Sequence, residues 1–213
     1  VEQQWVSRVH KALNAAKAAY PNFDWAAYDQ NYDGLIDRLW IIHAGLGEED
    51  HPALLNRTSY GEGGMWSHSS SLGSPYPVTT NVSALSYIMM PENAGLAVLV
   101  HEFAHNLGAI DLYSYGDGQT SVGFWSVMCD SWVGYPLGFR PEGMDPMHLD
   151  QWGWLSPLVI SDPAQVYSVK LGQASRFPAD TNLFQAVKIE LPNWVMPSPV
   201  QPLGQFQWWG GKQ

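Results

Sequence analysis

The order of apolar and polar positions predicts a mixed chain. Trp5, Val9, Leu13 and Ala16 recur at helical spacing, so residues 2–19 read as a helix that Tyr20-Pro21 closes. A polar stretch, Asp24–Asp37, is followed by Leu39-Trp40-Ile41-Ile42, a buried strand ended by His43-Ala44-Gly45. Residues 45–83 are rich in Gly, Ser, Pro and Asn and read as long folded surface loops around Met65-Trp66. Val82–Met90 is a second strand, stopped by Pro91. Asn93–Leu107 has a helical pattern, with Asn93 as N-cap, Gly108 as terminator, and Leu96, Val100, Phe103 and Leu107 as the core stripe. Turn signals and aromatics fill 109–157, with a short helix near Asp145–Gln151. After Pro157 the runs Val166–Leu171 and Phe184–Leu191 are β-like. We therefore expect an α+β chain with a first domain over 1–157 and a β-rich, incomplete segment over 158–213. No internal repeat interrupts this order.

Composition narrows the partners. The 213 residues are 46% hydrophobic, enough for a sizeable core, and carry 10 Lys+Arg against 20 Asp+Glu, a net charge of −10. Nucleic acid needs a basic footprint, and an anionic membrane surface attracts basic segments, so both are disfavoured. No apolar run approaches the ~18–20 residues of a membrane span. The best stretch, Ala94–Val100, runs straight into His101-Glu102. The lone Cys129 excludes an internal disulfide framework and any Cys-only zinc site. Beginning at Val1 without a leader-like segment, the chain reads as a mature or excised fragment.

The chemistry concentrates in His101-Glu102-Phe103-Ala104-His105-Asn106-Leu107-Gly108-Ala109-Ile110-Asp111. Histidines four apart on a helix project from one face, close enough to share one zinc ion. Glu102 follows the first ligand and can take a proton from a water on the metal, whose pKa zinc brings to about 7. Gly108 lets the chain leave the helix abruptly, and Asp111 returns as an oxygen ligand, leaving one position open. Core histidines beside a surface Glu produce the same H-E-x-x-H letters. The Gly and Asp that follow at fixed offsets favour the metal.

Further pieces stand in a recognisable order. They are His43-Ala44-Gly45, Met65-Trp66-Ser67-His68, Tyr87–Pro91, the zinc motif with Asp111-Leu112-Tyr113, Trp125-Ser126-Val127-Met128, and Gln151-Trp152-Gly153-Trp154-Leu155. Together they resemble the immune inhibitor A family of secreted bacterial zinc metalloproteases, over roughly residues 24 to 157. That resemblance implies a metzincin-like fold with a twisted sheet and an active-site helix. It implies that Asp111 stands where most metzincins have a third His, and that Met128 belongs to a Met-turn flooring the metal. It also implies secretion and protein or peptide substrates.

Asp29-Gln30-Asn31-Tyr32-Asp33-Gly34-Leu35-Ile36-Asp37 matches the first nine positions of an EF-hand-type loop. Asp29, Asn31, Asp33 and Asp37 would offer side-chain oxygens to calcium, Leu35 its carbonyl, and Gly34 the sharp turn. Position twelve is Trp40 rather than a bidentate Glu, and a strand rather than a helix follows. An ordinary Asx-rich turn has similar letters. The resemblance favours calcium, as structural support in a chain without disulfides.

Other signals are weaker. Cys129 lacks basic neighbours and reads as a buried structural thiol. His68 reads as a loop residue near the cleft, and His148, Glu142, Glu48 and Glu49 as surface groups. Asn56-Arg57-Thr58 and Asn81-Val82-Ser83 are glycosylation sequons that matter only in a eukaryotic source. Trp208-Trp209 reads as part of a strand cut from its partners.

The expectation is a monomeric zinc endopeptidase, with Glu102 catalytic and His101, His105 and Asp111 holding zinc. A peptide would pair with Val82–Met90 as an edge strand, and Tyr113 or Tyr135 would stabilise the oxyanion. Two alternatives stay open. Glu142 could be the third ligand, as in gluzincins, or the chain could be a non-catalytic, metal-ordered binding module.

Overall fold

Tyr87, Ile88, Met89 and Met90 are between 0% and 2% exposed, so successive side chains are buried on both faces of one strand. Such a run belongs at the centre of a sheet, not at its edge. In the computed structural model, which describes residues 2–48, 65–115, 120–129, 138–162, 164–173 and 183–190, it does. Contacts divide the chain into two units, one of Val1–Gly108 with Trp132–Pro141, the other of Ala109–Ser131 with Glu142–Gln213.

The first unit contains helix α1 (Glu2–Ala19), strands β1 (Trp40–His43), β2 (His68–Pro77) and β3 (Ser83–Pro91), and helix α2 (Leu96–Asn106). The three-stranded sheet has the order β1-β3-β2. β1 runs parallel to β3 with Trp40 opposite Ile88, and β2 runs antiparallel to it with His68 opposite Met89. The edge position expected for Val82–Met90 is therefore corrected: among the described residues β3 is central, and β2 is the antiparallel edge.

β2 was also expected to be loop. Its sequence, His68-Ser69-Ser70-Ser71-Leu72-Gly73-Ser74-Pro75-Tyr76-Pro77, has poor strand propensity. It extends because β3 supplies its backbone partners, and an edge tolerates Pro and Gly. The register shifts between Ser71 and Tyr76, and Gly73 sits inside that irregularity at φ +77°.

α1 fulfils its periodicity: Val9 and Leu13 are buried in a core with Ile36, Leu72, Val78, Val82, Ala84, Tyr87 and Met89. Lys17 Nζ donates to the Pro77 carbonyl at 3.1 Å, tying the end of α1 to β2. β1 is less buried than expected, since Ile42 is exposed.

The second unit contains helix α3 (Pro146–Gln151) and the parallel pair β4 (Leu158–Ile160) and β5 (Val187–Ile189). β4 starts directly after Pro157, ahead of both β-like runs expected from the sequence. The run Val166–Leu171 makes no strand: only Leu171 pairs, in an isolated bridge to Phe184. α3 ends where Gly153, at φ +71°, folds the chain so that Trp154 N donates to the Leu149 carbonyl at 2.8 Å. No helix among the described residues is long and apolar enough to cross a membrane.

Candidate metal centre

α2 carries the first part of the site. Its N-cap is Gly95, not Asn93, and no side chain caps it. Instead the Gly138 carbonyl accepts from Ala97 N at 2.8 Å, satisfying one of the helix's open N–H groups. The buried face is Ala97, Val98, His101, Glu102 and Ala104. The expected stripe is thus corrected, since Leu96 lies 52% exposed and the histidine-bearing face is the one turned inward.

His101 is buried, and its ring meets that of His105 edge-on with centroids 4.9 Å apart. Glu102, beside His101, is buried too. α2 closes through hydrogen bonds from Leu107 N to the Ala104 carbonyl at 2.9 Å and from Gly108 N to the His105 carbonyl at 3.0 Å. Gly108 then adopts φ +87°, a left-handed terminator that a side chain would strain. Three residues later, within this short run of chain, comes Asp111. His101, His105 and Asp111 each offer a ligand atom, and these atoms all lie within 4.8 Å of one another. Among the described residues no other group of three His, Cys, Asp or Glu side chains is arranged in this way, and Glu142 is not in the set. Two imidazoles and a carboxylate are a donor set suited to zinc.

The backbone amides of the residues on either side of Asp111 are anchored. Ile110 N donates to His148 Nε2 at 3.1 Å. Leu112 N donates to the Met128 carbonyl at 2.7 Å. The Asp111 carboxylate itself accepts the hydroxyl proton of Tyr115 through Oδ2. Ser126, Val127, Met128 and Cys129 are all buried, and Cys129 donates from Sγ to the Leu112 carbonyl at 3.1 Å, in keeping with a structural thiol.

His148 and Glu48, read above as surface groups, are 0% and 1% exposed. That reading is corrected. His148 was legible through its neighbour: Asp145 is the N-cap of α3 and Pro146 its first residue, which places residue 148 on the inner first turn. Asp145 Oδ1 accepts from His148 N at 3.0 Å, and Oδ2 lies 2.7 Å from His148 Nδ1 and accepts from Ser126 Oγ at 2.7 Å. Burial alone would raise the Asp145 pKa, but these hydrogen bonds outweigh it and lower the value from 3.8 to about 2.

His68 turns Nε2 to the Tyr87 hydroxyl at 3.1 Å and Nδ1 to the Trp66 carbonyl at 2.7 Å. Glu49, Tyr135, Asn56-Arg57-Thr58 and Trp208-Trp209 lie outside the described residues.

The acidic loop folds on itself. Asp29 Oδ1 and Oδ2 accept from Asp33 N and Gly34 N, each at 3.0 Å. Asp33 Oδ1 accepts from Leu35 N at 2.8 Å, and Asp37 Oδ2 from Gln30 N at 2.7 Å. Gly34 makes the expected sharp turn at φ +82°, and Tyr32 is left-handed at φ +61°. Asp29, Asp33 and Asp37 do not gather as closely as the histidine set does.

Comparison with known proteins finds relatives of this chain. The profile described as "Immune inhibitor A peptidase M6, catalytic domain" matches residues 3–153. Immune inhibitor A of Bacillus thuringiensis subsp. alesti is 32% identical over 130 residues, covering 54% of this chain and 18% of that protein. The pre-pro-metalloprotease PrtV of Vibrio cholerae serotype O1 (strain M66-2) is 27% identical over 216 residues, covering 88% of this chain and 22% of that protein. The chain thus spans about a fifth of the length of the curated relatives it matches.

Proposed function

The chain belongs to the immune inhibitor A peptidase M6 family, matching its catalytic domain, and from that we propose that it is a zinc-dependent metalloendopeptidase of metzincin type. The observation that carries the proposal is the convergence of His101, His105 and Asp111. These three residues would hold the metal. Bound there, zinc supplies Lewis acidity, polarising the scissile carbonyl and making water acidic enough to deprotonate near neutrality.

The protein's own residues do the rest. Glu102 takes a proton from the attacking water and returns it to the leaving amine, so the same carboxylate serves as base and then as acid. Its burial beside His101 keeps bulk water from competing for that proton. An extended peptide would pair with β2, which is bonded on one side only among the described residues and offers its other backbone edge. Tyr113 is a candidate for stabilising the oxyanion. Met128 would support the centre from the turn whose carbonyl holds Leu112 N.

The catalytic domain in this proposal is 1–157, followed by a β-rich segment over 158–213. The Asp29–Asp37 loop would bind calcium as a structural brace through Asp29, Asn31, Asp33, Asp37 and the Leu35 carbonyl. Its sharp turn at Gly34 supports that reading. Secretion follows from the family reading.

Metal analysis of the purified chain, with casein cleavage before and after phenanthroline, is the test. Stoichiometric zinc and chelator-sensitive cleavage are expected. Glu102→Gln should retain the zinc and lose activity by about 10²–10⁴-fold. Calcium without zinc, or a Glu102→Gln variant as active as the parent, would sink the proposal.

A further inference from the structure

We propose that His148, with Asp145 and Ser126, is a positioning device that brackets the metal-ligand candidate Asp111 from both sides. The inference rests on Asp111 being a zinc ligand. It starts from hydrogen-bond direction. A backbone N–H can only donate, so His148 Nε2, 3.1 Å from Ile110 N, is an acceptor. The proton of the neutral imidazole then sits on Nδ1, which donates to Asp145 Oδ2 at 2.7 Å. The same Oδ2 accepts from Ser126 Oγ at 2.7 Å, leaving Ser126 Oγ to accept from Met128 N at 3.1 Å. The Met128 carbonyl accepts from Leu112 N at 2.7 Å.

The chain of bonds therefore leaves the amide of Ile110, the residue before Asp111, and returns at the amide of Leu112, the residue after it. Every side chain in it is buried: Ser126 and His148 are 0% exposed and Asp145 is 7% exposed. In such surroundings each bond is strengthened by the low local dielectric, and each would be costly to leave unmade. The arrangement fixes where Asp111 can point without touching its carboxylate. It also couples that position to the Met128 turn, since Asp145 holds His148 and Ser126 through one oxygen. His148 is a positioning residue here, not a ligand: both its ring nitrogens are engaged away from the metal.

The test is zinc affinity by chelator competition and the visible spectrum of the cobalt-loaded chain, alongside unfolding of the metal-free chain. His148→Phe keeps the ring volume and removes both bonds. It should weaken zinc binding by about 10–100-fold, as loss of groups that orient ligands does, and alter the cobalt bands. His148→Gln, which keeps an acceptor for Ile110 N, should recover part of that loss.

If His148→Phe does not fold, Ser126→Ala carries the same comparison, with a smaller loss expected and the cobalt bands again shifted. A folded variant with parental zinc affinity and parental cobalt bands overturns the proposal. Asp111→Ala separates the two levels. If it loses zinc while the ring variants keep theirs, Asp111 stays a ligand and the bracket falls. If Asp111→Ala itself keeps parental affinity, the ligand reading falls first.

Discussion

Tyr115 donates its hydroxyl proton to Asp111 Oδ2, so the carboxylate that joins His101 and His105 is oriented by a residue four positions further on. Tyr115 is 67% exposed, and solvent screening puts the hydrogen bond below the usual range for charged acceptors. Tyr115→Phe should therefore weaken zinc binding by about 2–5-fold, corresponding to roughly 0.5–1 kcal/mol. Chelator competition reads this directly. A loss above a hundredfold would mean that the hydroxyl does more than orient the carboxylate, and no loss would remove it from the site.

Asp145 predicts an acid limit. Its pKa falls from 3.8 to about 2 on folding, because hydrogen bonds to His148 and Ser126 outweigh the cost of burial. The folded chain thus binds this proton more weakly than the unfolded one. The stabilisation is complete above about pH 4 and disappears as pH falls through about 2, and it amounts to roughly 2 kcal/mol. Urea unfolding of the parent and of Asp145→Asn at pH 6, 4 and 2.5 checks it. The parent's advantage should be largest at pH 6 and shrink towards pH 2.5. A gap independent of pH would mean that Asp145 contributes through shape alone.

The convergence of His101, His105 and Asp111 was readable because its logic is local. A helix puts residues four apart on one face, and a glycine at the end lets the chain turn back, so His101, His105, Gly108 and Asp111 followed from spacing. α1 and α3 were readable for the same reason. β2 was not, because its serines and prolines carry no strand signal and only the neighbouring β3 extends them. The central place of β3 was hidden likewise, since a continuous apolar run does not say which strands lie beside it. The long-range partner of His148 was hidden, because Ile110 lies 38 positions away and only the tertiary fold brings the two together. The N-cap of α2 failed differently. Gly138 does from a distance what Asn93 was expected to do locally.

The acidic loop gives a prediction with two readouts. Calcium bound only by the folded chain raises stability by about 2.7 kcal/mol at a hundred times its dissociation constant. Thermal unfolding of the zinc-loaded chain should therefore shift upward with added calcium, and Asp33→Ala should abolish the shift. Without calcium, Asp33→Ala should cost about 1 kcal/mol, since Leu35 N loses its acceptor at 2.8 Å. A parent that ignores calcium would leave Asp29–Asp37 as an Asx-rich turn and nothing more.

Gly138 shows how the start of α2 depends on a residue far from it in sequence. It sits at φ +75°, and a Cβ there would meet Ala97 Cβ at 3.0 Å and the Val98 backbone N at 3.3 Å. Gly138→Ala adds backbone strain to a close approach, and it moves the carbonyl that accepts from Ala97 N. A loss of about 1–3 kcal/mol is expected. Because α2 carries His101, Glu102 and His105 one to two turns further on, the variant should also lose catalytic turnover beyond what its unfolded fraction explains. Casein cleavage measured well below the melting transition, with zinc saturating, separates the two effects. Full activity per folded molecule would show that the site tolerates movement at the helix start.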